Sequence, residues 1–456
     1  KIHGFNNYDT GNGNTKWVYA EDCGWIVNTP LTEGKCRMWG NPMAEMMYET
    51  VRYFSGAGTP TPQFLYSSSN SSADDNQLGL PLATWNNPYN STNYCSKPIM
   101  VAISDIFPSY DSDQLPGSAW PSTLGTTLSG LHADNGVQAI ANHEGLNGTF
   151  YIGQNNAPGT DGYDGACTPK SIPGLEKIRG LCPEEPSKQG SYYSSAVTHY
   201  AATTNLLSLN PNSDIQALSA NSTQTMASYM VALSSPLPEI RIPVAGKVIT
   251  MVPFAKSPGG GAYSQNISPT GNFQPTNTIV DFFVEELNAT AGTFRVNFED
   301  VEQGADHDMD AIARYHYEVE TNGTVTITVT SEYAAGSIQQ HMGYIISGTT
   351  ADRTYLVVRD EDTDDDDDVD YHLDVPNTSA ALPLSSTRNF TPGTTEAASL
   401  LKNPLWYAAK WGAFIDRNGN KVPDLTVEWG TDNTNDGVAN PVPNTSLLMV
   451  ADLYGD

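Results

Sequence analysis

Residues 97–117 read KPIMVAISDIFPSYDSDQLPG, and this stretch decides the fold of the first half of the chain. It contains a short, continuously apolar run from Ile99 to Ile103, which ends at the polar pair Ser104 and Asp105. Such a run is typical of a strand that is buried on both faces of a mainly parallel sheet. Ligands of open α/β sheets bind beyond the carboxyl ends of such strands, so Asp105 is a candidate binding residue.

A helix is predicted before this strand, in the segment WGNPMAEMMYETVRYFSG, residues 39–56. Asn41 is predicted to cap the helix, Pro42 suits its first turn, and Gly56 can end it in a left-handed conformation. Apolar residues recur at steps of four, four and three, which places them on one face that packs on the sheet. These residues are Met43, Met47, Val51 and Phe54.

Two further elements follow the strand. Residues 148–153 (GTFYIG) predict another strand, and residues 189–206 predict a helix. In the loop after Asp105, two more acids occur at Asp111 and Asp113. Residues 1–210 are therefore expected to form an α/β domain.

The pattern changes near the middle of the chain, where apolar residues begin to recur with period two and turn signals become frequent. In RYHYEVETNGTVTITVTSEY, residues 314–333, the pair Asn322-Gly323 predicts a type I′ turn between two strands of one hairpin. The sequence thus predicts an antiparallel, sandwich-like all-β domain over residues 211–400. Residues 401–456 follow this domain and contain a predicted calcium-binding loop.

The charge of the chain argues against nucleic acid as a partner. The 456 residues include 22 Lys and Arg against 51 Asp and Glu, a formal net charge of −29 at pH 7. A chain of that sign repels phosphate backbones. No stretch approaches the roughly 18 apolar residues that span a bilayer, and the first residues lack the features of a signal peptide. We therefore expect a soluble chain without a membrane span.

Cysteine usage suggests an oxidising compartment. The sequence has no C-x-x-C motif, and its cysteines are Cys23 and Cys36, then Cys95, then Cys167 and Cys182. This spacing predicts two local disulfides and one odd thiol. Closed loops of this length would each contribute on the order of 3 kcal/mol, as suits a protein outside the cytosol. The odd count leaves five free, buried thiols as the alternative.

The most specific metal signal lies in FIDRNGNKVPDLTVEWG, residues 414–430. Positions one, three, five and nine of a calcium-loop pattern are occupied by Asp416, Asn418, Asn420 and Asp424. The loop departs from an EF-hand because Lys421 stands at position six and Glu428 at position thirteen. We expect Ca²⁺ here, and the alternative is an unliganded, Asx-rich turn.

Two further acidic clusters occur in the β-rich half. Asp306, Asp308 and Asp310 follow one another at steps of two, which puts their carboxylates on one side of an extended chain. A structural calcium ion would relieve the repulsion between them, and the alternative is a solvated loop. The run of aspartates at 364–368 has no defined ligand geometry and is expected to be an exposed tip.

Catalytic motifs of the common enzyme classes are missing from the sequence. It contains no G-x-S-x-G, no H-E-x-x-H, no G-x-x-x-x-G-K-[ST], and no G-x-G-x-x-G between a strand and a helix. We therefore expect a non-enzymatic protein that acts by binding. A carboxylate pair for glycoside hydrolysis needs only two acids that are close in the fold, so a secreted, calcium-dependent polysaccharide hydrolase stays open as an alternative.

Seven long stretches resemble, in the same order, segments of one protein family. They are residues 40–56 (GNPMAEMMYETVRYFSG), 102–117 (AISDIFPSYDSDQLPG), 179–197 (RGLCPEEPSKQGSYYSSAV), 231–244 (VALSSPLPEIRIPV), 294–312 (FRVNFEDVEQGADHDMDAI), 331–352 (SEYAAGSIQQHMGYIISGTTAD) and 400–414 (LLKNPLWYAAKWGAF). On these residues the chain is similar to the PilY-type proteins, the large tip-associated adhesins and assembly factors of bacterial type IV pili. The resemblance covers nearly the whole length.

The resemblance implies an amino-terminal von Willebrand factor A-like α/β domain, which can hold Mg²⁺ or another divalent ion that an adhesive partner completes with a carboxylate. Asp105 corresponds to the distal metal-site aspartate, and Asn41 stands where the usual threonine would be. The D-x-S-x-S element with the principal ligands is missing from the sequence, so the domain is incomplete: the element lies upstream of Lys1 or the ion site is degenerate. Family members usually continue beyond residues 400–414 into a β-propeller with a regulatory calcium site, so the resemblance implies that residues 401–456 are a connector that precedes the propeller.

The resemblance and the calcium patterns together predict an extracellular protein on the cell surface, at the tip of a type IV pilus. Its expected partners are minor pilins, with which it primes pilus assembly, and a host or abiotic surface. Calcium is expected to rigidify the acidic loops. Besides the hydrolase, the alternative is a structural cell-surface protein that assembles into a lattice or filament of its own.

Overall fold

The computed structural model describes residues 6–9, 15–18, 41–61, 85–104, 107–120, 128–155, 163–183, 186, 189–233, 238–258, 273–276, 278–299, 311–334, 340–360, 382–394, 398–431, 442–443 and 446–449. The first half of the chain forms β1 (Asn6–Asp9), β2 (Thr15–Val18), α1 (Met43–Phe54), β3 (Ile99–Ser104), α2 (Ala133–Glu144), β4 (Gly148–Gln154), β5 (Tyr163–Ile172), α3 (Tyr193–Thr203), α4 (Ser213–Ala217) and β6 (Ala227–Leu233).

The second half is mainly β-structure and ends in short mixed elements. The strands are β7 (Ile240–Val244), β8 (Lys247–Pro258), β9 (Phe273–Thr276), β10 (Thr278–Leu287), β11 (Ala291–Glu299), β12 (Ala311–Val319), β13 (Val325–Ala334), β14 (His341–Ser347), β15 (Arg353–Arg359) and β16 (Ser385–Phe390). They are followed by α5 (Pro404–Gly412), α6 (Thr426–Trp429), β17 (Gly430–Thr431), β18 (Val442–Pro443) and β19 (Ser446–Met449).

The helix predicted at residues 39–56 is confirmed as α1. Its predicted inner face is buried at Met43, Met47 and Val51. Gly56 follows the helix with φ +86°, the left-handed conformation expected of it. The predicted cap was wrong, because Pro42 occupies the cap position and no side chain caps the helix. The Asn41 side-chain amide instead donates to Ser104 and Phe107, at the carboxyl end of β3.

The strands β3, β6 and β19 form a parallel sheet in the order β19-β6-β3. The prediction of a strand at residues 99–103 is confirmed, but the prediction that it is buried on both faces was wrong. Alternate residues of β3 are buried against the helices. The other three are aliphatic and 55%, 57% and 65% exposed: Ile99, Val101 and Ile103. A continuously apolar run gives no period-two signal, so the sequence could not reveal this asymmetry.

The other two predicted elements of the α/β part are confirmed. The helix expected within residues 189–206 is α3, at 193–203, and its inner residues are almost all buried. The strand expected at residues 148–153 is β4. It pairs antiparallel with β5, so it forms a separate hairpin beside the parallel sheet.

The β-rich segment forms two antiparallel sheets. One has the strand order β10-β11-β12-β13-β16, and the other has the order β15-β14-β8-β7 with β9 against β8. A single hydrophobic core lies between them and includes fully buried residues such as Val296, Tyr315, Ile327 and Met251. The predicted antiparallel all-β character is therefore confirmed.

The hairpin predicted around Asn322 and Gly323 is confirmed as β12-β13, but its predicted turn was wrong. The backbone N–H of Gly323 donates to the carbonyl of Glu320 at 2.9 Å, and the N–H of Glu320 donates to Thr324 at 2.8 Å. Of the two central residues only Gly323 has a positive φ, +83°. The connection is thus a three-residue loop with a glycine bulge instead of a two-residue type I′ turn.

In sequence, the two sheets are inserted between elements of the α/β part. Before them, β6 lies in the parallel sheet, and after them α5 packs against α3 and β6, while β19 pairs with β6. The sequence predicts that β6 belongs to a β domain of residues 211–400, and that α5 and β19 belong to a connector of residues 401–456. Pairing and packing join all three to the α/β core, a long-range connection that no local pattern encodes.

A shared core holds the β4-β5 hairpin against one of the two sheets, the one formed by β15, β14, β8 and β7. The Tyr151 hydroxyl donates to the carbonyl of Ile346 at 2.8 Å, and the Thr354 hydroxyl donates to the carbonyl of Cys167 at 2.6 Å. A disulfide joins Cys167 to Cys182 within this core. One of the two predicted local disulfides is therefore confirmed.

Of the three remaining cysteines, the structure describes one. Cys95 is a free, exposed thiol, as the predicted odd thiol requires. Cys23 and Cys36 lie outside the described residues. In the described part of the chain, no helix is long and apolar enough to cross a membrane.

Candidate functional site

The predicted calcium loop is an exposed turn between α5 and α6, and the structure brings its four predicted ligands together. The side-chain amides of Asn418 and Asn420 donate to the two carboxylate oxygens of Asp424, each at 2.9 Å. The carboxylate of Asp416 accepts three consecutive backbone N–H groups, from residues 419 to 421, at 2.8 to 3.1 Å. Two carboxylates and two amides therefore lie within one short turn.

The charge state of Asp424 suits a cation. Desolvation raises its pKa, but hydrogen bonds donated by the amides of Asn418 and Asn420 outweigh desolvation and leave the pKa below its ordinary value. A metal-binding carboxylate must be deprotonated, and this one stays so at neutral pH. Carboxylate and amide oxygens are the donors that Ca²⁺ prefers in proteins.

Glu428 holds the two ends of the loop together, a role that its spacing in the sequence did not reveal. The residue is fully buried, and its carboxylate oxygens accept the backbone N–H groups of Arg417 at 2.8 Å and Leu425 at 3.2 Å. The N–H of Ile415 also donates to the Glu428 carbonyl, at 2.8 Å. Glu428 is therefore a positioning residue. Its carboxylate and its backbone carbonyl hold both ends of the loop by accepting backbone N–H groups from them.

His199 connects the same loop to α3. Its ring nitrogen Nε2 donates to the carbonyl of Lys421 at 2.8 Å. The ring also packs edge-on against Trp411, with centroids 4.9 Å apart. Burial lowers the pKa of His199. A neutral ring with a proton on Nε2 satisfies this bond, so the loop is anchored to the helical core by an uncharged group.

Of the second predicted ion site, at Asn41 and Asp105, the structure describes Asn41. The Asn41 side-chain amide donates to the Ser104 hydroxyl at 2.9 Å and to the carbonyl of Phe107 at 3.2 Å. The Asn41 backbone N–H also donates to the Ser109 hydroxyl, at 2.8 Å. The structure thus places Asn41 at the exit of β3, the segment that contains Asp105, but Asp105 itself lies outside the described residues.

A buried carboxylate, Asp111, lies beyond the same strand. One of its oxygens accepts the backbone N–H of Ser191 at 2.8 Å, and the other, Oδ2, has no hydrogen-bond partner. Burial raises the pKa of Asp111 to about 7, against the opposing effect of hydrogen bonds from Ser191 and Ala44. Because Ala44 belongs to α1 and Ser191 precedes α3, this side chain lies where the two helices begin. The sequence indicated its position in the loop but not its burial.

The remaining acidic candidates are not among the residues that the structure describes. These are Asp306, Asp308 and Asp310, and the aspartates at 364–368. In the described ranges, no group of three or more His, Cys, Asp or Glu side chains is placed to hold a metal. The loop at 416–424 relies on two carboxylates and two amides, so it is not a group of that kind.

Comparison with known proteins identifies the family. The family model described as "PilY1 homolog, second domain" matches residues 1–201, and the model described as "PilY1 homolog, beta-sandwich" matches residues 242–396. The chain belongs to the PilY-type family. The second match coincides with the two sheets built by β7 to β16, so the sandwich is a family domain of PilY-type proteins.

A curated relative covers most of this PilY-type chain. It is the type IV pilus biogenesis factor PilY1 homolog of Xylella fastidiosa strain Temecula1, which is 41% identical in an alignment of 447 residues that covers 86% of this chain. The match covers 29% of the relative, so the chain spans less than a third of the length of that protein. No solved structure matches the chain.

Proposed function

We propose that this PilY-type chain acts by binding, without catalysis, in type IV pilus assembly and surface adhesion. It acts outside the cell, at the pilus tip, where its partners are minor pilins and a host or abiotic surface. The proposal rests on the 41% identity to a type IV pilus biogenesis factor across 86% of the chain. The name of that relative describes an assembly role, which supports binding over catalysis.

The joined architecture supports such a role. A component that links pilins to a surface must hold two binding faces in a fixed relation. Here the β4-β5 hairpin shares a buried core with the sandwich, and the Tyr151 hydroxyl bonds across to Ile346. The α/β part and the sandwich can therefore engage separate partners as one body.

Deletion of the gene in the source organism tests the assembly role. The deleted strain is expected to lose most surface pili and to bind surfaces poorly, because priming of assembly is absent. Sheared surface pilin, measured by immunoblot, and microscopy of attached cells are the two readouts. The matched control is the deleted strain that carries the full-length gene on a plasmid. Normal surface pilin in the deleted strain would refute the assembly role.

We also propose that Ca²⁺ binds the loop at residues 416–424 and stiffens it. Asp416 and Asp424 supply charged oxygens, and the amides of Asn418 and Asn420 supply the neutral ones. Binding would favour the folded loop, which His199 and Glu428 fasten to the protein interior. The calcium effect is therefore expected to reach the stability of the whole α/β part.

Calcium at 100 times its dissociation constant is expected to raise the free energy of unfolding by about 2.7 kcal/mol, because it binds only the folded loop. The change Asp424→Asn is expected to abolish this gain, since it removes one of the two charged ligands. The measurement is thermal unfolding in calcium and in chelator. The control is Asp281→Asn, an exposed carboxylate on β10, which should keep the full gain. An equal gain in D424N would refute this site.

Two further ion sites stay predictions of the same proposal. A divalent ion such as Mg²⁺ is predicted at Asp105 and Asn41, and calcium is predicted at Asp306, Asp308 and Asp310. The side-chain amide of Asn41 donates to Ser104 and to Phe107, which places this side chain at the carboxyl end of β3.

A further inference from the structure

Three aliphatic side chains that flank the loop at residues 416–424 are open to solvent. Ile415 directly precedes the loop and is 59% exposed, and Leu425 directly follows it and is 44% exposed. Val427 on α6 is 65% exposed. Single exposed aliphatic residues are normal, but several at one place mark a contact surface. We call these three residues the loop patch.

The backbone holds the residues of the loop patch beside one another. The N–H of Ile415 donates to the carbonyl of Glu428 at 2.8 Å, and the N–H of Leu425 donates to the Glu428 carboxylate at 3.2 Å. Val427 is the neighbour of Glu428 in the chain. Both ends of the loop and α6 therefore meet at one buried residue, and the loop patch lies around this meeting point.

A calcium ion in the loop would keep coordination positions for an outside ligand. One oxygen from each of the four proposed ligands gives four, whereas Ca²⁺ takes about six to eight oxygens. The four side chains are all exposed, so the remaining positions face solvent. They are Asp416, Asn418, Asn420 and Asp424. Oxygens of an anionic partner can fill these positions.

Calcium also reverses the charge next to the loop patch. Residues 414–430 contain three acids, Asp416, Asp424 and Glu428, and two bases, Arg417 and Lys421. Their formal charge is −1, and a bound Ca²⁺ makes it +1. Charges farther away than about 8 Å are largely screened at physiological salt, so this local charge decides what approaches the loop. The calcium-loaded surface is complementary to a partner that is both anionic and apolar.

An anionic phospholipid bilayer has both properties. Its headgroups supply phosphate oxygens, and aliphatic side chains enter it to a depth of about 5–10 Å. A stable protein interface needs about 800 Å² from each partner, which is more than three side chains beside an exposed turn provide. The loop patch therefore fits a bilayer better than a protein.

We propose that the calcium-loaded loop binds the surface of an anionic phospholipid bilayer. Ile415, Leu425 and Val427 insert among the headgroups, and lipid phosphate completes the coordination of the ion. This inference rests on the proposed calcium site and names the chemistry of one surface that the protein contacts. Without calcium the local charge is negative, so the same surface is repelled by the bilayer.

Cosedimentation of the full-length protein with vesicles tests the proposal. The vesicles contain phosphatidylcholine and phosphatidylserine in equal amounts. The protein is expected to sediment with them in calcium, and its binding is expected to fall about thirtyfold in chelator, as a change of two charges near an anionic membrane implies. No binding in calcium, or equal binding in calcium and in chelator, would overturn the proposal.

A double substitution tests the role of the loop patch. The change Ile415→Ser with Val427→Ser is expected to weaken vesicle binding in calcium about tenfold, because it removes apolar surface that the bilayer would bury. Both side chains are exposed, so the fold should be kept. The control is Val248→Ser, at a residue 49% exposed on β8, which should bind vesicles like the unmodified protein. Full binding by the double variant would overturn the proposal.

Thermal unfolding of the same proteins separates this proposal from that of the calcium site. Calcium is expected to stabilise the unmodified protein and the double variant equally, whereas D424N should lack this gain. If the gain is present but the unmodified protein does not bind vesicles, the lipid proposal is overturned and the calcium site stands. If the unmodified protein gains no more than D424N, both are overturned.

Other occupants of the loop patch give different results, and each overturns the proposal. If a second copy binds there, calcium makes the protein dimerise in solution and vesicles are not bound. If a pilin binds there, calcium promotes binding of purified minor pilins, the double variant loses that binding, and vesicles are again not bound.

Discussion

Replacing Lys410 by methionine is expected to lower the free energy of unfolding by about 3–5 kcal/mol. Lys410 on α5 pairs with Glu144 at the end of α2, with Nζ 2.7 Å from Oε1 and 2.9 Å from Oε2. The two side chains are only 10% and 13% exposed. The indole N–H of Trp411 also donates to Glu144, at 2.8 Å. Methionine would leave this buried carboxylate with one neutral donor and no opposite charge.

The aromatic surroundings of Lys410 add to the loss. Its ammonium lies 4.3 Å from the ring centroid of Trp429 on α6 and 5.5 Å from that of Trp406. Cations that face rings in partly buried positions contribute about 0.5–2 kcal/mol each. Lys410 therefore fastens α2, α5 and α6 to one another.

Urea unfolding of three variants checks the expectation. Arg241→Met is the control, because its ion pair with Glu239 is 64% and 48% exposed and should contribute less than about 1 kcal/mol. The double change Glu144→Gln with Lys410→Met should cost less than K410M alone, since it also removes the unpaired charge. If K410M and R241M cost the same, the buried pair is not what holds α5 in place.

The location of this pair explains why it matters to the fold. The chain leaves the α/β part at β6, forms the sandwich, and returns at α5. The returning segment must find its place beside α3 and β6 although the whole sandwich separates it from them in sequence. Lys410 forms this largely buried ion pair when α5 lies with Lys410 opposite Glu144, which favours one register for that return.

The sequence predicted those parts of the fold that local patterns encode. The spacing of Met43, Met47 and Val51 predicted α1 because three apolar residues on one helical face need no tertiary information. Alternation around Asn322 likewise predicted β12-β13. The exposed face of β3 and the return of α5 to the α/β core could not be predicted, because both depend on what packs there.

The candidate site shows the same division. The spacing of Asp416, Asn418, Asn420 and Asp424 revealed a loop in which the structure brings all four together. The sequence did not reveal that Glu428 positions the loop. A carboxylate that accepts backbone N–H groups from the two ends of a loop has no fixed spacing from them in the sequence. Asp111 was missed because burial of a loop carboxylate depends on how α1 and α3 meet above it.

Replacing Asp111 by asparagine is expected to remove much of the fall in stability between about pH 4 and pH 7. Burial raises the pKa of Asp111 to about 7, while the pKa of an aspartate in the unfolded chain stays near its ordinary value of 3.8. The folded protein therefore binds more protons than the unfolded chain in this window. Each pH unit lowers the free energy of unfolding by up to about 1.4 kcal/mol, or about 4 kcal/mol across the window.

The direction of this pH dependence follows from which protonation state of Asp111 the folded protein prefers. Protonated Asp111 stabilises the fold below pH 3.8, and this contribution is lost as the pH rises through about 7. His199 acts in the opposite direction: burial lowers its pKa below 6.5, so its contribution is present above that pH and lost as the pH falls. His199 is unchanged in D111N, so its effect cancels when the variant is compared with the unmodified chain.

Urea unfolding at a series of pH values from 4 to 8 measures the difference between D111N and the unmodified chain. The variant is expected to gain stability relative to the unmodified chain as the pH rises, because asparagine keeps an acceptor for the Ser191 N–H without a buried charge. Asp214→Asn, an exposed carboxylate on α4, should show no such gain. A constant difference between D111N and the unmodified chain would mean that Asp111 remains ionised in the fold. An unpartnered carboxylate oxygen at the meeting point of two helices would then have to be stabilised by a group that neither the sequence nor the packing of α1 and α3 indicates.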